Sequence, residues 1–346
     1  CRIGRSQKQR SQARVDMLVV IGGNKMFKLT RRHMLHWTTG AIAAAAIDPL
    51  RRSEAAADNR RKFTIDLRCG SIGVRADQRA AIALAERHGF ESVTPDAYFL
   101  TDLTPDDLEV LREQMSSANL VWGAGGMPVE FRRDEQTFAD GLAELPRLAE
   151  GLQRAGVTRI GTWLSPAHDE LTYLQNFRQH ARRLRECGRI VADHGIRFGL
   201  EYVGPKTLWA SRRHSFVHTM AETQDLLDEI GLDNVGLILD SWHWYTAHET
   251  IDDLLTLSNT QIVACDLNDA PRGLPIDEQI DNRRELPAAT GVIDLKTFLS
   301  ALVKIGYDGP VRAEPFNRPL NEMDDEAAVA KTAAAMHQAV ALVEAS

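Results

Sequence analysis

Eight short apolar runs alternate with helix-like stretches along this 346-residue chain, and that alternation constrains the fold more than any single motif. The runs lie at 63–70, 90–96, 118–126, 158–165, 197–203, 235–241, 261–267 and 310–316. Short apolar runs between amphipathic stretches read as parallel strands covered by helices on their outer side. The helix signals agree with this reading. Gly89 closes an amphipathic stretch over 75–89, and Thr104 with Pro105 forms a cap and first turn before a helix reaching Ser116. Eight strand–helix units without a second composition class predict a single-domain α/β protein, a (β/α)8 TIM barrel over 58–346. The competing doubly wound sheet would carry a glycine-rich fingerprint after its first strand. Cys69-Gly70-Ser71-Ile72-Gly73 is too sparse for one.

The last four runs each end in an acid. Glu201 lies in RFGLEYVGP (197–205), Asp240 in GLILDSWHW (236–244), Asp266 in IVACDLNDAPRG (262–273) and Glu314 in PVRAEPFN (310–317). One acid in such a place can cap the next helix or pair with a basic neighbour. Four on successive parallel strands converge at the C-terminal end of the barrel, where such folds keep their chemistry. Gathered carboxylates repel one another unless a cation holds them. The pattern therefore predicts a divalent metal centre of Glu201, Asp240, Asp266 and Glu314. An oxygen set suits Mn²⁺ or Mg²⁺ best, with Co²⁺ and Zn²⁺ as alternatives. Long loops at 204–217 and 270–290 are expected to cover the mouth of the site. Lys206, Arg212 and Arg213 in the first loop read as a solvated basic run that can meet an anionic group.

Asp240-Ser241-Trp242-His243 and the segment GVIDLKTFLSALVKIGYDGPVRAEPF (291–316) resemble the xylose-isomerase-like TIM-barrel superfamily of sugar phosphate isomerases and epimerases. The resemblance implies that Glu201 and Glu314 bind the metal and act as the acid/base pair, with Asp240 as the strand-six ligand. The strand-seven ligand of that family is commonly His or Gln. Here the matching position is Asp266, with Asp269 as a rival, so the ligand set departs from the family's pattern. His243 and Arg272 match positions that meet substrate. By their places at strand ends, Trp122 and Trp163 are expected to wall a sugar ring, and His168 to reach a hydroxyl. The implied activity is isomerisation or epimerisation of a ketose or related small-molecule sugar through an enediolate, with proton transfer beside a carbonyl held by the metal. A lyase or hydratase acting on a 3-keto-glycoside or inosose at the same centre is the alternative. A non-catalytic sugar-binding barrel is the alternative from another class; the acid/base pair argues against it.

Composition excludes some partners. A formal net charge of −7 disfavours nucleic acid, and an abasic-site endonuclease would also need several histidine ligands. The first sixty residues differ from the rest. Residues 1–25 lack periodicity and read as a non-native or disordered extension. Over 26–57, Thr30-Arg31-Arg32-His33-Met34-Leu35, a modest apolar stretch and Ala55-Ala56-Ala57 read as a twin-arginine-type export signal. That predicts a periplasmic or exported protein with no stable membrane span after processing. Cys69, Cys187 and Cys265 show no metal spacing and read as buried free thiols. Self-association into a homo-oligomer is expected from the family resemblance alone.

Overall fold

The computed structural model describes residues 60–344, which lie in one compact unit. The expected extension and export signal fall outside the described residues. Eleven short strands are β1 Thr64–Leu67, β2 Ser92–Val93, β3 Val121–Trp122, β4 Gly125–Gly126, β5 Arg159–Trp163, β6 Ala167–His168, β7 Arg197–Glu201, β8 His214–Ser215, β9 Val235–Asp240, β10 Ile262–Leu267 and β11 Pro310–Ala313. Nine of them form one sheet in the order β3-β2-β1-β11-β10-β9-β7-β5-β4, with every neighbour parallel. The two ends of that order, β3 and β4, are consecutive pieces of one segment broken only at Gly123 and Ala124. The sheet therefore curls into a TIM barrel whose third stave is interrupted.

Local sequence explains the outer layer. Asp77 accepts the amide of Ala80 to start helix Gln78–Arg87. Thr104 caps Pro105–Ser117 by accepting the amide of Asp107 at 3.1 Å. Asp134 caps Glu135–Ala155, which Gly156 ends in a left-handed turn at φ 86°. Several elements depart from the expected alternation: helix Ala97–Asp102 follows β2, helix Ser241–Thr246 follows β9 directly, β6 pairs antiparallel with β8, helix Lys206–Trp209 lies in the loop expected over 204–217, and helix Arg318–Asn321 precedes the last helix. Cys69, Cys187 and Cys265 are free thiols. No described helix is long and apolar enough to cross a membrane.

The barrel interior is divided into two zones. Ile238 on β9 packs with Ala124 and Ala264 as a small apolar plug. Above it runs a charged row set by strand register: Asp66 on β1 pairs with Arg312 on β11, Arg312 with Asp266 on β10, and Asp266 with Asp240 on β9. Glycines opposite make room for Ile238. A Cβ at Gly199 would lie 2.7 Å from Ile238 Cγ1 and 3.0 Å from Val263 Cβ. Overpacking of this kind costs about 1–3 kcal/mol. Gly199→Ala should lower the urea midpoint by that much stability with the slope unchanged, as read by circular dichroism.

Candidate functional site

A cavity of about 580 Å³ opens at the C-terminal ends of the strands. Its floor carries Glu201, Glu314 and His243 together with Arg68, Arg284 and Arg312. Each acid arrives as the alternation dictates. Glu201 ends β7, Asp240 ends β9 and caps the next helix by accepting the amide of Trp242 at 2.7 Å, and Asp266 stands inside β10. Glu314 follows β11, two residues beyond Arg312 and thus on the same inward face. Two sets of three potential ligand atoms lie within 4.8 Å of one another: Glu201, Asp240 and His243, and Glu201, Asp266 and Glu314. The chain therefore gathers the acidic cluster that its strand ends foretell.

The cluster differs from the expected one in its counter-ions. Arg312 grips Asp266 with two parallel bonds, Nε to Oδ1 at 2.5 Å and Nη2 to Oδ2 at 3.0 Å. Arg284 donates from Nη1 to Asp240 Oδ2 at 2.7 Å and lies 3.6 Å from Glu314 Oε2. Arg68 donates to Glu314 Oε1 at 2.9 Å. Asp240 Oδ1 accepts from the Asn268 amide at 2.8 Å as well as from Trp242. Asp240 and Asp266 are 0% exposed and do not line the cavity. Glu201 is the exception: no side chain bonds its buried Oε1, and the nearest cationic candidate is His243 Nε2 at 3.9 Å.

Burial and these neighbours set the protonation states. Burial, then Glu314, Asp266 and Asp240, pushes the Glu201 carboxyl well above the usual range. Burial also raises Glu314, with Arg68, Arg284 and Arg312 pulling it back. Asp240 rises to about 7, chiefly by burial and against the pull of Arg284. His243 is held neutral, with burial and then Arg284 lowering it to about 3. The amide of Gly204 donates to His243 Nδ1 at 3.2 Å, so the neutral ring carries its proton on Nε2, toward the acids.

As placed, Asp240 and Asp266 are committed to arginines rather than open to an ion. An ion bonded to Asp240 Oδ2 at about 2.0–2.6 Å would meet the guanidinium that already holds that oxygen. Both oxygens of Asp266 are likewise taken by Arg312. Asp269 is not a rival ligand: its carboxylate accepts the amides of Ala270, Thr290, Gly291 and Ile293 and pins the following loop.

Other expected contacts are corrected by position. Trp122 shares its register row with Val93 and Leu67, the row next to inward Asp66, so it faces the helices and donates to Ala155 O at 3.0 Å. His168 spends Nδ1 on the amides of Glu170 and Leu171 and does not line the cavity. Arg272 bonds Thr290 O, outside the cavity. Lys206 pairs with Asp277, whereas Arg212 does line the cavity. Trp163, in register with Glu201, lines the mouth at 47% exposure under Arg132, whose Cζ is 4.4 Å from its ring. Sequence reasoning missed Arg68, Arg284 and Arg312. Arg312 had a signal, since a charge two residues before an inward acid must also point inward. Arg284 had none.

A buried acid with a raised folded pKa keeps a proton that the unfolded chain has already lost. Its stabilising contribution is complete near pH 4 and is lost as pH rises through the folded value, by up to about 1.4 kcal/mol per pH unit for each acid. Asp240 and Glu249, each raised by burial to about 7, and Glu201, raised by burial well above its usual range, all act this way. His180 and His243, depressed by burial to about 4 and about 3, act oppositely but only below the ordinary histidine value. Calorimetry on chelator-treated protein should therefore show melting temperature falling from pH 6.5 to 8, and Glu201→Gln should shrink that fall.

A model of the xylose isomerase-like TIM barrel family matches residues 82–339. An inosose isomerase of Bacillus velezensis is 27% identical over 208 residues, covering 60% of this chain and 71% of that protein. The solved structure of a xylose isomerase domain protein from Alicyclobacillus acidocaldarius superposes with a TM-score of 0.71 at 28% identity, covering 82% of this chain and all of that one. The IolI protein, solved with a zinc atom, superposes with a TM-score of 0.67 at 22% identity, covering 81% of this chain and 98% of that one.

Proposed function

The chain belongs to the xylose isomerase-like TIM-barrel family, and from that premise we propose that it is a sugar isomerase or epimerase. It moves a proton at the carbon beside a carbonyl of a small ketose or cyclic polyol ketone. The observation that carries this reading is the pair Glu201 and Glu314, two buried carboxyls that share one cavity and differ in their counter-ions. Glu314, paired with Arg68 and beside Arg284, is the carboxylate and removes the proton. Glu201, with no guanidinium partner and a pKa raised well above the usual range, stays protonated and gives a proton back. The electron pair of the broken C–H bond moves onto the carbonyl oxygen. In epimerisation it returns as Glu201 protonates the opposite face of the same carbon; in isomerisation Glu201 protonates the former carbonyl carbon while the neighbouring hydroxyl passes its proton to the enediolate oxygen and becomes the new carbonyl. Exchange with solvent then returns a proton to Glu201 and removes one from Glu314. A raised carboxyl suits this exchange because its proton affinity approaches that of the reacting group near neutral pH.

Fixed N–H donors can meet the charge that develops on the oxygen. Arg68 and Arg312 line the cavity, and Arg312 makes three hydrogen bonds of the five its guanidinium can make. The Nε2–H of His243 faces the same space. Trp163 at the mouth offers an apolar face to the sugar ring. The inosose isomerase relative supports a cyclic polyol ketone as the first substrate to try.

Proton NMR in D₂O tests this reading on a panel of ketoses, inososes and 3-keto-glycosides. Deuterium should enter beside the carbonyl with the hydroxyls and any aglycone intact. Glu201→Gln and Glu314→Gln should each slow that entry by roughly 10²–10⁴-fold. Release of a hydroxyl or aglycone instead would make the chain a lyase. Sugar binding without any exchange would leave only a binding barrel.

A further inference from the structure

We propose that Arg284, backed by Arg312, is the fixed cation of this centre, so that the chain works without the divalent metal that its acidic cluster suggests. For activity the proposal rests on the proton-transfer reading above; for ion binding it stands alone.

Arg284 is placed with more care than a chance ion pair requires. Its guanidinium is buried, with Nη1 on Asp240 Oδ2 at 2.7 Å and Nη2 on Asp281 Oδ1 at 2.7 Å. Its Nε donates to Asp281 O at 2.9 Å, and its Nη2 lies 3.4 Å from His243 Nε2. Two rings flank it, with Cζ 5.4 Å from the centroid of Trp242 and 4.6 Å from that of Phe316. Phe316 takes a φ of 37° there, an uncommon conformation for a bulky side chain. The Arg284 carbonyl is also tied, accepting from Asn317 Nδ2 at 3.0 Å.

The loop that carries Arg284 is pinned on both sides. Asp269 and Glu285 exchange two backbone hydrogen bonds of 2.9 and 2.8 Å, and the Asp269 carboxylate gathers four amides of the loop. Arg284 therefore cannot swing away as a surface arginine would. It stands between Asp240 and Glu314, the two acids flanking the strand-seven position. Arg312 closes the remaining gap: it comes from the strand next to Asp266, in direct register, and covers both its oxygens. The acid at strand seven and the arginine beside it thus form a neutral pair.

The test uses the full chain. Metal content after purification is read by plasma mass spectrometry, and Mn²⁺ uptake by the chelator-stripped protein is measured by calorimetry. Deuterium exchange into substrate is followed with and without chelator. The expected results are no stoichiometric metal, no saturable Mn²⁺ uptake, and exchange that survives chelation. Arg284→Met leaves Asp240 without its guanidinium and Glu314 with Arg68 alone at contact distance, and should bind Mn²⁺ roughly tenfold tighter or more than the wild type. If this variant does not fold, the wild-type arms decide alone. Tight one-to-one Mn²⁺ binding by the wild type, or exchange abolished by chelator and restored by Mn²⁺, overturns the proposal while leaving the isomerase reading intact. Absence of exchange under every condition defeats the isomerase reading, and the Mn²⁺ titration still decides the role of Arg284.

Discussion

Burying four carboxylates at one end of a barrel is the constraint on which the rest of this structure depends. Charges of one sign cannot share a low-dielectric pocket without partners. Here the partners are covalent parts of the chain. Arg312 serves Asp266, Arg284 serves Asp240 and leans on Glu314, and Arg68 closes the outer side of Glu314. Removing one member of such a buried pair typically costs about 3–5 kcal/mol, because the other is left uncompensated. The floor of the cavity is therefore also a stability element of the fold.

Room for those guanidiniums comes from what the staves omit. Glycine at 161 and 199 and alanine at 124 and 264 leave only Ile238 to fill the centre below the charged row. The third stave breaks at Gly123 and Ala124, and the break frees the Ala124 carbonyl, which accepts Arg312 Nη1 at 3.0 Å. A continuous strand would have spent that carbonyl on a neighbour. The break also admits Asp66, whose carboxylate fills the space where a Cβ at Gly123 would lie.

Most of the fold was legible because its signals are local and periodic. Alternating apolar and amphipathic stretches located all eight staves, and the places of Glu201, Asp240, Asp266 and Glu314 at the ends of their runs put them at one end of the barrel. Parity along a strand, applied to Trp122, turns it outward, since it lies one residue past the inward row that contains Asp66. Position at a strand end was given more weight than facing, and that is why Trp122 was misplaced and Trp163 was not. Loop residues were illegible for a different reason. Arg284 sits in an ordinary polar run, and its partners Asp240 and Glu314 are 44 and 30 residues away. No window of sequence contains that contact.

A guanidinium centre would differ from an ion centre in what it can ask of a substrate. A metal ion collects oxygen ligands from several directions and lets a substrate replace water. A guanidinium offers donors only in its plane, and those of Arg284 are already directed to Asp240 and Asp281. Arg284 then acts chiefly by charge: it pulls Asp240 and Glu314 back toward ionisation against their burial, more than it does Glu201. The asymmetry between the two glutamates follows directly. On the proposed reading the glutamate with arginines serves as the base and the one without them as the acid, and both line one cavity. The acid at strand seven, where the family commonly presents a neutral ligand, is thus no loss to the chemistry, because its charge is cancelled within the adjacent strand.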